Sequence, residues 1–433
     1  MNIYKFDLRW WGIGIFIVAL VVRLVWGLSQ LERGFLFVSE GDYNLYQIGA
    51  EHFRAYGNFD NSLFLVRPPL FPLIVAALND NHTLIIVMNA FLGALIAPLL
   101  MLIACQLGFS YRVIILAGIL IALDPLHIPY TAFLGPEALS FVTALAMFSA
   151  LLALYHAEGG RIAWFWGVIA AIMLLVSAYA RPSIYLIWTG LSVWLLFIRP
   201  HYWYAILTFA ILSFAGIQVW SQHNERVFNN ATFSSVGAYT MTYYRAAAIL
   251  NQANPDMPIA DVYIEIGQRV EERLGNDPSL VDASTQHGYL AASPEVEAAL
   301  SATSFDIFRA HPEWYIATLG LGIIRYFNLL PSFPPFANLT NPALYPPIIY
   351  NWLILGSATI GLFLCFARKK LLAFWGLILF CGYFSVGTLV VKSAGLTARE
   401  RSVIIPLIVL LAAYGIVELY RMWQARHPAD NKM

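Results

Sequence analysis

Long apolar runs, separated by short polar connections, recur along the whole chain. A run of about 20 apolar residues can cross the hydrocarbon core of a membrane, roughly 30 Å thick, as a helix. The sequence predicts about ten such transmembrane helices, near residues 10–28, 83–104, 111–123, 137–155, 162–179, 183–198, 202–221, 348–366, 371–390 and 402–421. The run at 111–123 is the shortest and needs flanking residues to reach across.

The composition excludes a soluble protein. Hydrophobic residues make up 60% of the 433 residues and charged residues only 12%, with a net charge of zero. So little charge cannot keep several apolar runs in solution, and it suggests no nucleic-acid partner. The first run has Trp at both ends and no clear cleavage site, so we interpret it as a spanning helix rather than a signal peptide. The fold class predicted is an all-α polytopic membrane protein with interfacial helices.

Basic residues are concentrated in alternate connections, which sets the expected orientation. With a cytoplasmic N-terminus, ten spans place most lysines and arginines of the short connections inside, including Arg368, Lys369 and Lys370. Counting residues 314–330 as a further span would move this basic cluster outside. We therefore predict an interfacial or re-entrant helix over 314–330. Both termini are expected in the cytoplasm, with the chain in the cytoplasmic (inner) membrane.

Two regions on the non-cytoplasmic side are long. The first is an outer loop over residues 29–82. The second, over residues 222–347, has polar helical stretches near 239–250, 259–274 and 295–310, separated by Pro, Gly and Asn. The expected organisation is an N-terminal transmembrane module (1–221), a small helical extracytoplasmic domain (222–347) and a C-terminal transmembrane module (348–433).

The stretch after the first span predicts a helix along the outer membrane surface. Asp42, Tyr46, Ala50 and Phe53 recur at helical spacing and share one face. Asp42 lies in the first turn, where a carboxylate can serve chemistry. The alternative is structural, because Ser39-x-x-Asp42 fits a capping box and acids stabilise helix N-termini anyway.

Arg67 stands before a rigid turn, Arg67-Pro68-Pro69-Leu70-Phe71-Pro72. Three prolines in five residues are incompatible with a regular helix interior. An arginine held by such a turn at headgroup depth is well placed to bind a phosphate in bidentate fashion. The alternative is an interfacial anchor whose side chain reaches ordinary headgroups.

Other charged residues cluster in the remaining outer turns. Glu137 ends the turn that begins with Asp124 and includes His127. In one interpretation it shares a polar pocket with Asp42. In the other, its carboxylate only offsets the dipole of the helix that it begins. Basic residues on the outside run against the positive-inside trend, which makes them candidates for binding; they are Arg23, Arg181, Arg399 and Arg401. The alternative is that their side chains extend to the membrane interface as anchors.

Metal and cysteine chemistry find no support in the sequence. The nine histidines are scattered without a metal-ligand spacing, and the three cysteines fall in apolar runs. The sequence indicates no required cofactor, and no metal-binding motif supports a divalent metal.

The order of these motifs resembles one family. An Asp-x-x-x-Tyr-x-x-x-Ala helix follows the first span, a basic-Pro-Pro-Leu turn precedes the second, a Pro-Glu turn precedes the fourth, and an Arg-Pro turn follows the fifth. Residues 399–415, RERSVIIPLIVLLAAYG, form the last span. This order is similar to that of the dolichyl-phosphate-mannose protein mannosyltransferase-like family of bacterial C-type glycosyltransferases, which includes the lipid A aminoarabinose transferase. The resemblance covers most of residues 1–200 and 340–421.

The resemblance implies a role for several residues. These are Asp42 as the catalytic acid of the first outer loop, Arg67 as a ligand of the lipid phosphate, Glu137 as the second-loop acid, and Arg399 and Arg401 as a basic pair before the last span. Many relatives have a second acid directly after the first, but this chain has Tyr43 there. The nearest substitute is Glu40, two residues before Asp42.

The implied reaction moves a sugar from a polyprenyl-monophosphate carrier to an acceptor outside the cytoplasmic membrane. Asp42 is expected to act as base in an inverting transfer, while Arg67, Arg399 and Arg181 offset the charge on the phosphate. The acceptor, whether glycan, lipid or protein, is open. Two alternatives remain: a flippase or transporter of lipid-linked sugars, and a polysaccharide polymerase or ligase that uses a diphosphate-linked donor.

Overall fold

A computed structural model describes residues 3–32, 42–275, 293–327, 345–367, 371–392 and 398–427. Within these ranges every regular element is helical. The α-helices, in chain order, are α1 (Ile3–Glu32), α2 (Asp42–Tyr56), α3 (Leu63–Val66), α4 (Leu70–Ala77), α5 (His82–Gln106), α6 (Tyr111–Ala122), α7 (Glu137–Tyr155), α8 (Gly160–Ala180), α9 (Ile187–Ile198), α10 (Trp203–Phe228), α11 (Val236–Thr240), α12 (Ala247–Ala253), α13 (Ile259–Arg273), α14 (Pro294–Ala310), α15 (Pro312–Phe327), α16 (Tyr345–Ala367), α17 (Leu371–Val391), α18 (Ala398–Arg401) and α19 (Ile405–Arg426).

Eight of these helices are long and apolar enough to cross a membrane: α1, α5, α7, α8, α10, α16, α17 and α19. Two shorter apolar helices, Tyr111–Ala122 and Pro182–Ile198, occupy the other two positions where the sequence predicts spans. The all-α polytopic fold class is therefore confirmed, and the chain is a multi-pass membrane protein. Helix α6 is shorter than the predicted span, because its 12 residues rise only about 18 Å.

Helix α7 lies at the centre of the bundle and α1 at its edge. In α7, 83% of the spanning window is buried inside the protein, whereas in α1 the share is 22%. The apolar residues that α1 leaves exposed, such as Ile17, Val21 and Val25, are suited to contact lipid. Helix α7 packs between α5 and α8.

The last helix, α19, packs closely against α16. A Cβ atom on Gly361 would lie 2.0 Å from the Leu411 carbonyl oxygen, and one on Gly415 would lie 2.2 Å from the Ser357 carbonyl oxygen. Only glycine leaves room for backbones at this distance, as is typical of small residues between membrane helices. This contact joins the two helices that flank α17 and α18 in the chain.

Three helices form where the sequence predicts the first outer loop: α2, α3 and α4. Helix α2, Asp42–Tyr56, confirms the helical stretch that the sequence predicts, and Ser39 of the predicted capping box lies outside the described residues. The proline-rich turn is shorter than expected, because α4 begins at Leu70 and contains Pro72. Pro72 lies in the first turn of α4, where its missing N–H breaks no helical hydrogen bond.

A second hydrophobic cluster is formed by helices α11 to α14, which follow α10. Its buried side chains include Val262, Ile266, Leu300 and Ile307. A π-helical turn, Met241–Ala246, joins α11 to α12 into one continuous stretch. The three polar helical stretches predicted in this region are thus confirmed. Helix α15, at Pro312–Phe327, is not among the eight long apolar helices, consistent with the predicted interfacial helix.

Candidate functional site

Polar contacts join the helix ends at one side of the bundle, which we call the polar end. The connection between α6 and α7, residues 123–136, lies at its centre. Asn89, seven residues into α5, donates from Nδ2 to the Phe133 carbonyl oxygen over 2.9 Å. Tyr130 shares a hydrogen bond of 2.7 Å with the Ser402 hydroxyl, just before α19. This connection therefore lies about 10 Å below the first residue of α5, and we call it the recessed connection.

Glu137 is the first residue of α7 and is fully buried. Its Oε1 lies 3.8 Å from Nη1 of Arg181, whose side chain is 19% exposed. Arg181 follows the last residue of α8, and its extended backbone (φ −146°, ψ 119°) suits a residue before proline. An acid at a helix N-terminus is favourable, but complete burial of a carboxylate is costly unless it is paired.

The side chains of Glu137 and Tyr43 both pack against Gly135. A Cβ atom built on Gly135 would lie 2.1 Å from Glu137 Oε2 and 2.5 Å from Tyr43 Cε1. The Tyr43 ring is 7% exposed and stacks on Phe133, with centroids 5.0 Å apart and planes 4° from parallel. The first turn of α2 is therefore fixed against the end of the recessed connection, next to the Glu137 carboxylate.

Asp42 immediately precedes Tyr43 in this first turn. The backbone of α2 from Asp42 onward is described, but the Asp42 side chain is outside the described part of the chain, as is all of Glu40.

Arg67, which follows α3, lies beside Tyr46 of α2. Its side chain is 8% exposed, and its Cζ lies 5.8 Å from the centroid of the Tyr46 ring. Tyr46 is 2% exposed and packs edge-to-face on Phe71. A cation over an aromatic face gains about 0.5–1 kcal/mol when partly hydrated, and more when desolvated. Tyr46 thus positions the guanidinium group that the sequence assigns to phosphate binding.

Residues after α10 contact the segment just before Arg67. The Ser234 hydroxyl donates to the Val66 carbonyl oxygen over 2.7 Å, and the Ser235 N–H donates to the Leu65 carbonyl oxygen over 3.0 Å. These bonds satisfy carbonyl groups at the end of α3, which a four-residue helix leaves without internal partners. They link the start of the second hydrophobic cluster to the polar end.

Arg401 is fully buried at the end of α18. Its Nη2 donates to the Asn351 Oδ1 over 2.7 Å, and its Cζ lies 6.0 Å from the Phe327 ring centroid. Burial lowers the pKa of the Arg401 guanidinium to about 10, and nearby Tyr326 and Asp124 oppose this shift. The group therefore remains protonated at neutral pH. The side chain of Arg399 is outside the described residues.

A buried Asp–His pair lies in the recessed connection. His127 Nδ1 lies 2.5 Å from Asp124 Oδ2, and the two residues are 4% and 1% exposed. Arg23 of α1 donates from Nη1 to the Ala122 carbonyl oxygen, over 2.9 Å, just before Asp124. The sequence places Asp124 and His127 in an outer turn without assigning them a role. The signal available was their spacing of three residues, which is too common to point to a pair.

The polar end carries an excess of cations over carboxylates. Among the residues whose side chains are described, four arginines (Arg23, Arg67, Arg181 and Arg401) accompany two buried acids, Asp124 and Glu137, and the adjoining Glu400 is paired with Lys392. Such a site favours an anionic ligand. In the described part of the chain, no three His, Cys, Asp or Glu side chains form a group that could hold a metal ion.

Residues 77–179 match the model of the family described as dolichyl-phosphate-mannose-protein mannosyltransferase. The matched segment runs from the last residue of α4 nearly to the end of α8, and it contains the recessed connection and Glu137. The resemblance predicted from the motifs is therefore confirmed over this segment. No curated protein sequence matches the chain.

Solved structures share the fold. The archaeal oligosaccharyltransferase AglB from Archaeoglobus fulgidus, in complex with an inhibitory peptide and a dolichol-phosphate, aligns over 98% of this chain with a TM-score of 0.52 and 10% identity. The apo form of the Archaeoglobus fulgidus oligosaccharyltransferase gives a TM-score of 0.53 and 11% identity over the same share. This chain spans 52% and 53% of their lengths.

A third structure, ArnT from Cupriavidus metallidurans in the apo state, aligns over 94% of this chain and 78% of its own length at 14% identity. Its TM-score of 0.37 adds nothing to the fold assignment. At these low identities the two oligosaccharyltransferase structures show a common fold.

Proposed function

We propose that this chain, a multi-pass membrane protein with a mannosyltransferase-family segment over residues 77–179, is a glycosyltransferase. Its donor is a sugar linked to a polyprenyl monophosphate, and its acceptor is a glycan, a lipid or a protein outside the cytoplasmic membrane. One observation carries the proposal: the Glu137 carboxylate, the Arg181 guanidinium and the first turn of α2 meet beside Gly135, within the polar end.

The residues of the polar end suit such a transfer. The acceptor hydroxyl forms a bond to the anomeric carbon of the sugar, and the bond from that carbon to the phosphate oxygen breaks. The leaving group is polyprenyl phosphate, whose developing charge needs cations rather than a proton donor. Arg67, Arg399, Arg401 and Arg181 are the proposed cations.

Asp42 is the proposed base. It takes the proton of the acceptor hydroxyl as the new bond forms, and the anomeric configuration is inverted. Glu137 accepts hydrogen bonds from hydroxyl groups of the sugar or the acceptor and is itself oriented by Arg181. Tyr46 holds the Arg67 side chain.

The membrane face on which the active site is proposed to lie is inferred from the distribution of basic residues. Basic connections on the opposite side of the bundle support cytoplasmic termini and an active site on the outer face of the inner membrane. We also propose the division of the chain into an N-terminal transmembrane module (1–221), an extracytoplasmic domain (222–347) and a C-terminal transmembrane module (348–433). In that arrangement, residues 222–347 contribute to acceptor selection, because Ser234 and Ser235 bond to the segment before Arg67.

The test uses the full chain reconstituted in liposomes with a radiolabelled polyprenyl-monophosphate sugar and cell-envelope fractions as acceptors. The measured quantity is labelled product and released polyprenyl phosphate. Asp42→Asn is expected to lower transfer by roughly 10²–10⁴-fold, the range for a lost general base. Near-wild-type transfer by this variant would remove Asp42 from its proposed role.

The same assay separates the alternatives. Transfer from a monophosphate donor with none from the diphosphate-linked donor is expected. The reverse preference would indicate a polymerase or ligase, and movement of intact donor across the bilayer without product would indicate a flippase. The matched control is Asp261→Asn, an exposed acid in the first turn of α13, which is expected to transfer at the wild-type rate.

A further inference from the structure

An open groove lies between the first turns of α8 and α10, far from the candidate site. We call it the aromatic groove. Its volume is about 720 Å³, and the residues that line it are Gly160, Arg161, Trp164, Phe165 and Tyr204. Helix α7 begins at Glu137 in the polar end and finishes at Tyr155, just before α8. The groove is therefore at the opposite end of the bundle, and the proposed transfer does not use it.

Four of the lining residues share one face of α8. Gly160 and Trp164 are four residues apart along the helix. Arg161 and Phe165 have the same spacing, so these side chains lie one above the other over two turns. Tyr204 comes from the first turn of α10, which packs against α8. Both helices are long and apolar enough to span a membrane, so the groove lies where two spans meet the headgroup layer.

The wall of the groove is aromatic and exposed. Trp164 is 49% exposed and Phe165 is 50% exposed, and Trp203, next to Tyr204, is 58% exposed. Trp and Tyr are enriched where membrane helices meet lipid headgroups, because their side chains are apolar with one polar atom. These rings are therefore suited to contact the part of an acyl chain just below its headgroup.

Two polar groups are directed at the same groove. A Cβ atom on Gly160 would lie 2.1 Å from Tyr204 Oη, so the absence of a side chain at position 160 leaves room for this hydroxyl. The hydroxyl makes no hydrogen bond within the described part of the chain, and no described carboxylate pairs with Arg161. Glu158, the acid nearest to Arg161 in the sequence, is itself exposed. One hydroxyl and one guanidinium group are thus available to a ligand.

The combination of these groups indicates the class of ligand. A mostly apolar concave site with a few polar groups is typical of binding sites for small amphipathic molecules. A guanidinium group binds a phosphate in bidentate fashion, and basic pockets between membrane helices bind the headgroups of anionic lipids. A zwitterionic headgroup would bring a second cation beside Arg161, so an anionic headgroup is favoured.

We propose that the aromatic groove binds an anionic phospholipid of the surrounding membrane. Arg161 pairs with the headgroup phosphate, and the Tyr204 hydroxyl donates to a phosphate or ester oxygen. The rings of the wall pack on the upper part of one acyl chain. A soluble phosphate compound fits less well, because it leaves this wall in water. The site is separate from the donor site and does not rest on the proposed function.

The test measures lipid binding to the full chain in detergent by native mass spectrometry. Phosphatidylglycerol and phosphatidylcholine with identical acyl chains are added separately. The wild type is expected to bind phosphatidylglycerol about tenfold more tightly, the value of one charge-assisted contact. Arg161→Gln is expected to lose most of this preference, and Arg161→Lys, which keeps the charge, is expected to retain part of it. Equal affinity of the wild type for the two lipids would overturn the proposal.

Arg426→Gln is the matched control. Arg426 is an exposed arginine at the end of α19, and α19 begins beside the polar end, so Arg426 lies at the same end of the bundle as the groove. The variant removes the same charge outside the groove and is expected to keep the wild-type preference. Equal losses in Arg161→Gln and Arg426→Gln would show a general effect of surface charge and would refute the assignment to this groove.

Two further measurements separate the lipid chain from its headgroup. Trp164→Ala is expected to weaken binding of both lipids by a similar factor, about three- to tenfold, because apolar contact is lost while Arg161 remains. A change confined to phosphatidylglycerol would contradict the role of the aromatic wall. Glycerol 1-phosphate, which carries the phosphate without chains, is expected not to displace phosphatidylglycerol at equal concentration. Displacement would identify a site for soluble phosphates and overturn the lipid assignment.

Discussion

Two pairs of arginine and carboxylate side chains lie in opposite surroundings in this chain. Glu137 is fully buried beside Arg181 at the polar end, whereas Arg273 and Asp306 join α13 to α14 with side chains 39% and 52% exposed. An exposed pair contributes about 0–1 kcal/mol because water screens it. A buried pair must repay a desolvation cost of several kcal/mol. Burial of the Glu137–Arg181 pair is therefore weak evidence of a stabilising role, and the proposed function gives the pair another role.

The largest effect is expected from a substitution that breaks the buried pair. Glu137→Gln preserves the shape of the side chain and removes the charge that Arg181 faces, so the sugar or acceptor is held less well in place. Labelled transfer in liposomes is expected to fall by about 100-fold, the loss typical of misplaced reacting groups. Unfolding stability is expected to fall by only about 1–3 kcal/mol, because Arg181 is 19% exposed and can regain water. A variant with full activity and lowered stability would assign Glu137 a structural role alone.

A smaller effect is expected when the surroundings of the buried pair are altered while its charges remain. In Gly135→Ala the new methyl group would meet Glu137 Oε2 and the Tyr43 ring. The overpacking is expected to cost about 1–3 kcal/mol of stability and to lower transfer, since both side chains must move. Thermal unfolding and the transfer assay measure the two effects.

Gly237→Ala is the matched control, because nothing lies within 4 Å of a Cβ atom at that position. It is expected to leave transfer unchanged. Equal losses in the two alanine variants would contradict the special position of Gly135.

The smallest effect is expected from the exposed pair. Asp306→Asn should change unfolding stability by less than about 0.5 kcal/mol, and rising salt should reduce the difference further. Chemical denaturation at low and high salt measures both. A loss as large as that of Glu137→Gln would show that burial does not distinguish the two pairs.

Helix positions could largely be predicted from the sequence, because hydrophobic periodicity and helix-ending residues act locally. The predicted stretch at 259–274 is observed at Ile259–Arg273, and the one at 295–310 at Pro294–Ala310. The helical face of α2 was less well predicted, since Tyr46 is buried but Phe53 is partly exposed. Which residues of a face are covered depends on what packs there, and that is not a local property.

The contacts of the candidate site could not be predicted in the same way. Glu137 and Arg181 were each singled out as charged residues of outer turns, but their pairing depends on how α7 packs against α8. The sequence indicates only that Tyr43 stands where relatives have an acid, yet both its ring and the Glu137 carboxylate lie next to Gly135. The burial of Arg401 likewise follows from the packing of α18 rather than from its sequence.

The 12 residues of α6 have a consequence for the lipid. Because α6 rises about 18 Å in a hydrocarbon layer of roughly 30 Å, polar backbone follows it at a depth where lipid tails would otherwise lie. Irregular backbone is tolerated at such depth only if protein or water surrounds it, and residues 130–138 are indeed all buried. Under the proposed function, a polyprenyl-phosphate donor whose phosphate binds beside the recessed connection keeps its lipid chain among the neighbouring lipids while the sugar is transferred. The membrane then serves as the solvent from which the substrate arrives.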